Sequence, residues 1–303
     1  MPPPIRNRWS TGSAAWQWEL TDDGSRTLWD ARLDESFHSG CGAVSETLIV
    51  YLSNSQVLTR LRHSMPCAVL EYGLGTATGF LLTAAVAERY NTPLVFTALE
   101  CSLLPGEIFA QLQLADSVER CISQGLAKTP VSDPGFVASE FAALPNLCEA
   151  FCEQVAVWQR KIPKLLASSA TGPDDSKLLA SSATGEPPAN GVLVARLSEF
   201  VELQLCLGDA RDWSPTAAGA NDGPSAAGFD AVYFDPFSPE SNPELWTAEV
   251  FEVAASGLRP GGWLTSYCVK SSVRQALQQC GLQVSKMAGP VGGKREVLAA
   301  QRV

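Results

Sequence analysis

Apolar residues fall along the chain in short blocks, each closed by glycine, proline or a carboxylate, and the spacing alternates between strand-like and helix-like. Ala68-Val69-Leu70-Glu71 reads as a buried strand running into the glycine-rich turn Tyr72-Gly73-Leu74-Gly75-Thr76-Ala77-Thr78-Gly79. An apolar helix is predicted from about Phe80 to Arg89, then a strand over Leu94–Glu100, which makes a βαβ unit with an acid ending its second strand. Phe229–Phe234 is a second buried-strand pattern. It must stop near Asp235-Pro236-Phe237-Ser238-Pro239, because proline fixes φ and cannot donate to a sheet ladder. Asp235 is therefore expected at the carboxyl end of a strand, where open α/β sheets bind ligands.

The remaining pattern fills in around these two stretches. Trp16–Leu20 and Thr21–Leu28 predict a hairpin about Asp23-Gly24, followed by a polar loop from Asp34 to Thr47 and a helix from Glu46 to Leu61. Residues 138–164 read as mostly helical, and Val192–Leu197 and Val201–Leu207 as paired strands closed by Gly208-Asp209-Ala210. Pro243–Gly257 reads as a helix capped by Asn242, with Pro243 at its first position. Pro260-Gly261-Gly262 is read as a turn into a strand at Trp263–Cys268, with a helix over Ser271–Cys280 and strands at Leu282–Ala288 and Glu296–Arg302. The βαβα alternation with an antiparallel-looking finish predicts a doubly wound α/β domain over 61–303, preceded by a small β extension with a loop and helix over 1–60. Two stretches, 165–190 and 214–228, are read as flexible inserts. The first contains a copied segment, Lys164–Gly172 recurring as Lys177–Gly185, too short and too weakly apolar to be a solenoid unit.

Composition narrows the class. At 46% hydrophobic and 18% charged residues over 303 positions, the chain has enough apolar material for a real core. No apolar run reaches the length of a membrane span, and Met1-Pro2-Pro3-Pro4-Ile5-Arg6 lacks a signal-peptide pattern, so a cytoplasmic location is expected. The 9 cysteines lack CxxC pairing and the only histidines are His38 and His63, so no metal site is expected. A net charge of −10 argues against a general nucleic-acid binder. From Gly257 onward, however, cations predominate (Arg259, Lys270, Arg274, Lys286, Lys294, Arg295 and Arg302 against Glu296), so RNA contact through one face stays open.

The spacing Gly73-x-Gly75-x-x-x-Gly79 misses the dinucleotide fingerprint by one residue, which disfavours a nicotinamide enzyme. Glu71 suits a cationic or hydroxyl-rich ligand better than a pyrophosphate. Glu100 stands about 20 residues past Gly79, the spacing of an acid that grips a ribose.

Asp235 through Trp246, with Lys294-Arg295-Glu296, resembles the methyltransferase component of the enzymes of tRNA 5-methylaminomethyl-2-thiouridine biosynthesis (the MnmC type). The resemblance runs from about Asp34 to Val303. Leu70–Thr76 and Gly208-Asp209-Ala210 add motifs shared with many S-adenosylmethionine enzymes. It implies a class I, Rossmann-like methyltransferase with a seven-stranded sheet and one antiparallel strand, S-adenosylmethionine as cofactor and tRNA as partner. The implied acceptor is the aminomethyl nitrogen of a wobble uridine. It places the amino acid part of the donor on Glu71, Gly73 and Gly75, the ribose on Glu100 and the adenine amino group on Asp209. Asp235 would be the catalytic carboxylate, with Pro236, Phe237, Lys294 and Arg295 on the substrate side. Phe37, Ser39 and Glu46 fall in the matching substrate-side loop, where structural roles are equally open. The bifunctional members carry a flavin-dependent oxidoreductase domain after this one. With the chain ending at Val303, a standalone methylating form is expected, other enzymes installing the aminomethyl group. Two alternatives stay open: an amino-methyltransferase for another nucleobase or a protein amide, because Asp235-Pro236-Phe237-Ser238 also resembles an Asp-Pro-Pro-Tyr motif, and a catalytically silent RNA-binding protein of the same fold.

Overall fold

The structure, a computed structural model, describes residues 6–126, 135–169, 192–215 and 228–303. Four short strands, β1 (Arg8–Ser10), β2 (Trp16–Leu20), β3 (Arg26–Asp30) and β4 (Glu35–Ser36), pair antiparallel into an N-terminal sheet, with the turn at Asp23-Gly24 joining β2 to β3. A short helix, α1 (Ala43–Glu46), runs into a seven-residue π-helix (Thr47–Ser53), and α2 (Val57–Arg62) follows. The single helix expected from Glu46 to Leu61 is thus broken. Gln56 takes a left-handed φ of +65°, and the Ser55 hydroxyl bonds back to the Tyr51 carbonyl instead of letting the ladder continue.

The main sheet is built from β5 (Cys67–Tyr72), α3 (Thr78–Arg89), β6 (Leu94–Glu100), α4 (Gly106–Gln111), α5 (Leu114–Ser123), α6 (Leu144–Ser169), β7 (Val192–Arg196), β8 (Val201–Leu207), β9 (Phe229–Phe234), α7 (Ala248–Gly257), β10 (Leu258–Ser266), α8 (Ser271–Gln279), β11 (Leu282–Ala288) and β12 (Glu296–Arg302). Its strand order is β11-β12-β10-β9-β5-β6-β8-β7. This is the class I methyltransferase arrangement, but with eight strands where seven were expected. Two strands run against a neighbouring parallel set: β12 between β10 and β11, and the edge strand β7 against β8.

β5 and β9 are buried along their whole length, which is why they read as unbroken apolar runs. Side chains alternate between two cores. Val69, Ala231 and Tyr233 face the α3 and α6 side with Phe80, Phe96 and Phe151, whereas Leu70, Val232 and Phe234 face the α7 and α8 side with Phe251 and Leu264. The same parity sends Glu71 and Asp235 toward the α3 and π-helix side.

Three further expectations are corrected. Pro243–Gly257 is a 3₁₀ turn (Pro243–Leu245) followed by α7, whose cap is Thr247, accepting from the Val250 amide; the Asn242 side chain instead donates to Glu244. Pro260-Gly261-Gly262 lies inside β10, where the register slips between Leu258 and Trp263, and a Cβ at Gly262 would stand 3.0 Å from the Phe229 carbonyl. Residues 165–169 continue α6; the rest of that insert, and 216–227 of the second, lie outside the described residues.

Candidate active site

The sheet order β9-β5-β6-β8 lines up four strand ends carrying Asp235, Glu71, Glu100 and Asp209, in that order, along the carboxyl edge. Residues far apart in the chain thus share one rim, the place where open α/β sheets bind ligands.

Glu71 is 2% exposed. A Cβ at Gly79 would stand 2.1 Å from its Oε1, so the carboxylate lies against the bare first turn of α3, and only glycine leaves room for it. Its Oε2 has no hydrogen-bond partner among the described residues. Burial, then the charges of Asp235 and Glu100, push its pKa well above the usual carboxylate range. A buried acceptor of this kind fits a donor-rich cation such as an ammonium group. Gly73 and Gly75 both sit at positive φ, +89° and +51°, and the Gly75 amide donates to Glu100 Oε2 at 3.1 Å. Glu100 also accepts from the Ser102 amide at 2.8 Å, and burial raises its pKa. Asp209 stands apart: it caps the 3₁₀ turn Ala210–Asp212 by accepting from the Arg211 amide, and its carboxylate is engaged by the Arg211 guanidinium, which lowers its pKa. The adenine contact implied for Asp209 would have to compete with that pair.

Asp235, half-buried, accepts a short hydrogen bond at Oδ1 from the Tyr51 hydroxyl. Its Oδ2 accepts none among the described residues. Burial, then the charge of Glu46, push its carboxyl well above the usual range, against the pull of Tyr51 and Lys294. Glu46, 5% exposed, accepts from the Ser39 amide at 3.3 Å, and burial is the main force moving its pKa from 4.5 to about 7. Tyr51 packs against Tyr233 at 5.3 Å between ring centres and keeps its proton, since burial and the two carboxylates raise its pKa further.

The loop after Asp235 is clamped on several sides. Tyr267 donates to the Pro236 carbonyl at 2.9 Å and Trp246 Nε1 to the Phe237 carbonyl at 2.8 Å. Glu35 accepts from the Ser238 amide and hydroxyl at 3.0 and 2.9 Å, and Phe37 meets Phe237 edge-on at 5.0 Å. Lys294 lies 4.3 Å from the Tyr267 ring centre, near enough for its charge to act on Glu46 and Asp235. Arg295 is exposed and has no side-chain partner among the described residues. Tyr51, Glu35 and Tyr267 were not singled out from sequence. An aromatic five residues after Glu46 was the available signal, but the α-helix expected there turns about 100° per residue and would part the two. The π-helix, with its i→i+5 turn, brings both to Asp235.

These raised acids set a pH dependence. A carboxyl whose folded pKa is raised stabilises the fold fully below its unfolded value and loses that contribution as pH rises through the folded value. For Glu46, moved from 4.5 to about 7, the loss is about 3 kcal/mol. Denaturant midpoints of the ligand-free protein are expected to fall between pH 5 and 8, and Glu46→Gln should flatten that fall by about this amount.

Among the described residues no helix is long and apolar enough to cross a membrane, and no cluster of three or more metal-ligating side chains occurs. Residues 186–303 match a family described as S-adenosyl-L-methionine-dependent methyltransferase. The tRNA 5-methylaminomethyl-2-thiouridine biosynthesis bifunctional protein MnmC of Nitrosospira multiformis is 43% identical over 75 residues, 25% of this chain and 12% of that protein. Its counterpart from Aeromonas hydrophila is 35% identical over 102 residues, 34% of this chain and 15% of that protein. The aligned stretches thus span only a small part of these relatives' length. The crystal structure of MNMC2 from Aquifex aeolicus superimposes with a TM-score of 0.60 at 20% identity, covering 97% of this chain and 72% of that one, which shows the shared fold.

Proposed function

We propose that this S-adenosylmethionine-dependent methyltransferase, of the MnmC type, methylates the aminomethyl nitrogen of 5-aminomethyl(-2-thio)uridine at the tRNA wobble position. The observation that carries the reading is the acceptor end of the rim. Two carboxylates, Asp235 and Glu46, share one partly buried site with a Tyr51 hydroxyl, beside the orphaned Glu71 acceptor. A site of that charge receives a cationic amine and repels a phosphate.

Glu71 with the Gly73 and Gly75 backbone would hold the amino acid part of S-adenosylmethionine, Glu100 the ribose hydroxyls, and Asp209 the adenine amino group. Bound there, the cofactor supplies an electrophilic methyl group. The acceptor, an alkyl amine with a pKa of ~10, arrives as an ammonium and is not nucleophilic until it loses a proton. An ordinary aspartate is too weak a base to take it. Burial and the neighbouring Glu46 charge strengthen Asp235 as a base, so its Oδ2 can hold the ammonium and accept the proton. Tyr51 fixes Oδ1, which leaves Oδ2 for the amine and aims its lone pair. The clamped Pro236-Phe237 loop walls the site, and Phe237 would stack on the extruded uridine while Lys294 and Arg295 meet the RNA backbone.

The direct test is methyl transfer from labelled S-adenosylmethionine to tRNA bearing 5-aminomethyluridine. Label recovered in the methylaminomethyl nucleoside supports the reading, and label only in another nucleobase or in protein overturns it. Tyr51→Phe removes the hydrogen bond that lowers the Asp235 pKa. Its expected result is a kcat reduced about tenfold and the acid limb of the pH–rate profile displaced to higher pH, both read from steady-state rates between pH 6 and 10.

A further inference from the structure

Outside the rim, a groove opens between the N-terminal sheet and α5, lined by Trp9, Leu20, Gly24, Arg26, Gln113 and Arg120. At about 340 Å³ it falls at the small end of ligand-sized clefts, room for one nucleotide rather than a duplex. Its apolar wall is unusually open: Trp9 is 39% and Leu20 42% exposed. Its charge runs against that of the chain. In a protein of net charge −10, several arginines of the N-terminal half are neutralised, Arg8 by Glu19, Arg32 by Asp30 and Arg62 by Glu140. Arg26 and Arg120 have no carboxylate partner among the described residues. Among the described residues they meet neutral groups: Arg26 donates to the Gln111 carbonyl at 2.7 Å and lies over the Trp9 ring at 5.8 Å from its centre, and Arg120 donates to the Gly24 carbonyl at 3.1 Å and the Ser117 hydroxyl at 3.4 Å. These bonds hold two guanidiniums at the groove wall and leave other N–H donors without a hydrogen-bond partner among the described residues.

Two unneutralised guanidiniums beside an exposed indole suit a phosphate with a stackable base attached. The groove is also coupled to the rim. The Thr21–Ser25 loop that carries Gly24 holds the start of α1 from its other side, where Ser25 Oγ accepts from the Ala43 amide at 2.9 Å and Asp23 from the Ser45 amide at 2.8 Å. Glu46, the last residue of α1, acts on Asp235.

We propose that this groove binds a nucleotide of the tRNA other than the methylated one, its phosphate on Arg26 and Arg120 and its base on Trp9. The proposal rests on the tRNA reading above and adds a second RNA contact, away from Lys294 and Arg295, on an acidic protein. The experiment measures tRNA affinity as a function of salt for the full chain, with S-adenosylmethionine binding measured alongside. Each phosphate contact contributes ~0.7–0.9 to the slope of log K against log salt. Arg26→Ala with Arg120→Ala is expected to lower that slope by about 0.7–0.9 and tRNA affinity at least about tenfold, with donor binding unchanged. The paired lysine variants should keep the slope, which a purely structural role for the carbonyl contacts would not. Trp9→Ala should cost about tenfold in affinity with the slope intact, and Trp9→Phe should restore it. Wild-type tRNA binding with unchanged affinity and slope in the double alanine variant overturns the groove alone. A wild-type protein that binds donor but no tRNA overturns the tRNA reading and the groove with it.

Discussion

Asp235→Asn is expected to lower kcat for the proposed methylation of aminomethyluridine tRNA by about 10²- to 10⁴-fold, the usual range for removing a positioned proton acceptor. The substitution is nearly isosteric, and the amide oxygen can still accept from Tyr51, so the Gly73 approach, in which a Cβ would stand 3.3 Å from the Asp235 carbonyl, is undisturbed. What disappears is the negative charge proposed to draw in the ammonium and the oxygen proposed to take its proton. KM for the tRNA therefore rises while donor affinity holds. Single-turnover rates with calorimetric donor binding separate these effects. A loss below about tenfold would move the proton acceptor to Glu46 or to solvent, and Asp235 would be left as a wall of the site.

At Glu71, binding and stability are expected to move in opposite directions. Glu71→Gln removes a carboxyl that burial pushes well above its usual pKa, together with its repulsion from Asp235 and Glu100. Since the raised pKa means stability lost as pH rises through the folded value, the ligand-free variant should match the wild type at pH 5 and exceed it at pH 8. Donor affinity should fall about 10²- to 10³-fold, because the donor's ammonium then lacks its buried countercharge. With the donor's ammonium on Glu71 as proposed, the ionised carboxylate is favoured, so donor binding to the wild type is expected to release a proton. Binding enthalpies in buffers of different ionisation heat detect that release. A variant that is both less stable at pH 8 and fully able to bind donor would show that Glu71 only fills the space beneath Gly79.

Much of this could be read from local pattern. The apolar runs Ala68–Leu70 and Phe229–Phe234 are strands because burial on both faces demands continuous apolar side chains. The prolines after Asp235 end β9 wherever the rest of the chain goes. The glycine turn after Glu71 and the acid closing β6 follow from the same local rules, as do the final two strands, which match their expected bounds at Leu282–Ala288 and Glu296–Arg302. Local pattern failed where a neighbour decided the outcome. Residues 46–61 have helical composition, but the ring of Tyr51 packs on Tyr233 and its hydroxyl reaches Asp235, 184 residues away, and the segment winds as a π-helix there. Asn242-Pro243 reads as a helix start, yet Trp246 is held by the Phe237 carbonyl and the helix begins only at Ala248.

The electrostatics divide in the same way. Local order of residues places an acid at each of four strand ends, because a strand's end is a matter of dihedral preference and donor supply over a few positions. That these ends form one rim depends on strand order, and that Glu71 and Asp235 have raised pKa values while Asp209 has a lowered one depends on burial and on which charges lie across the gap. Desolvation and Coulomb interaction act through space, between groups such as Glu46 and Asp235 that the chain alone holds far apart. Only the packed fold therefore decides which of the carboxylates have raised pKa values and which is spent on Arg211.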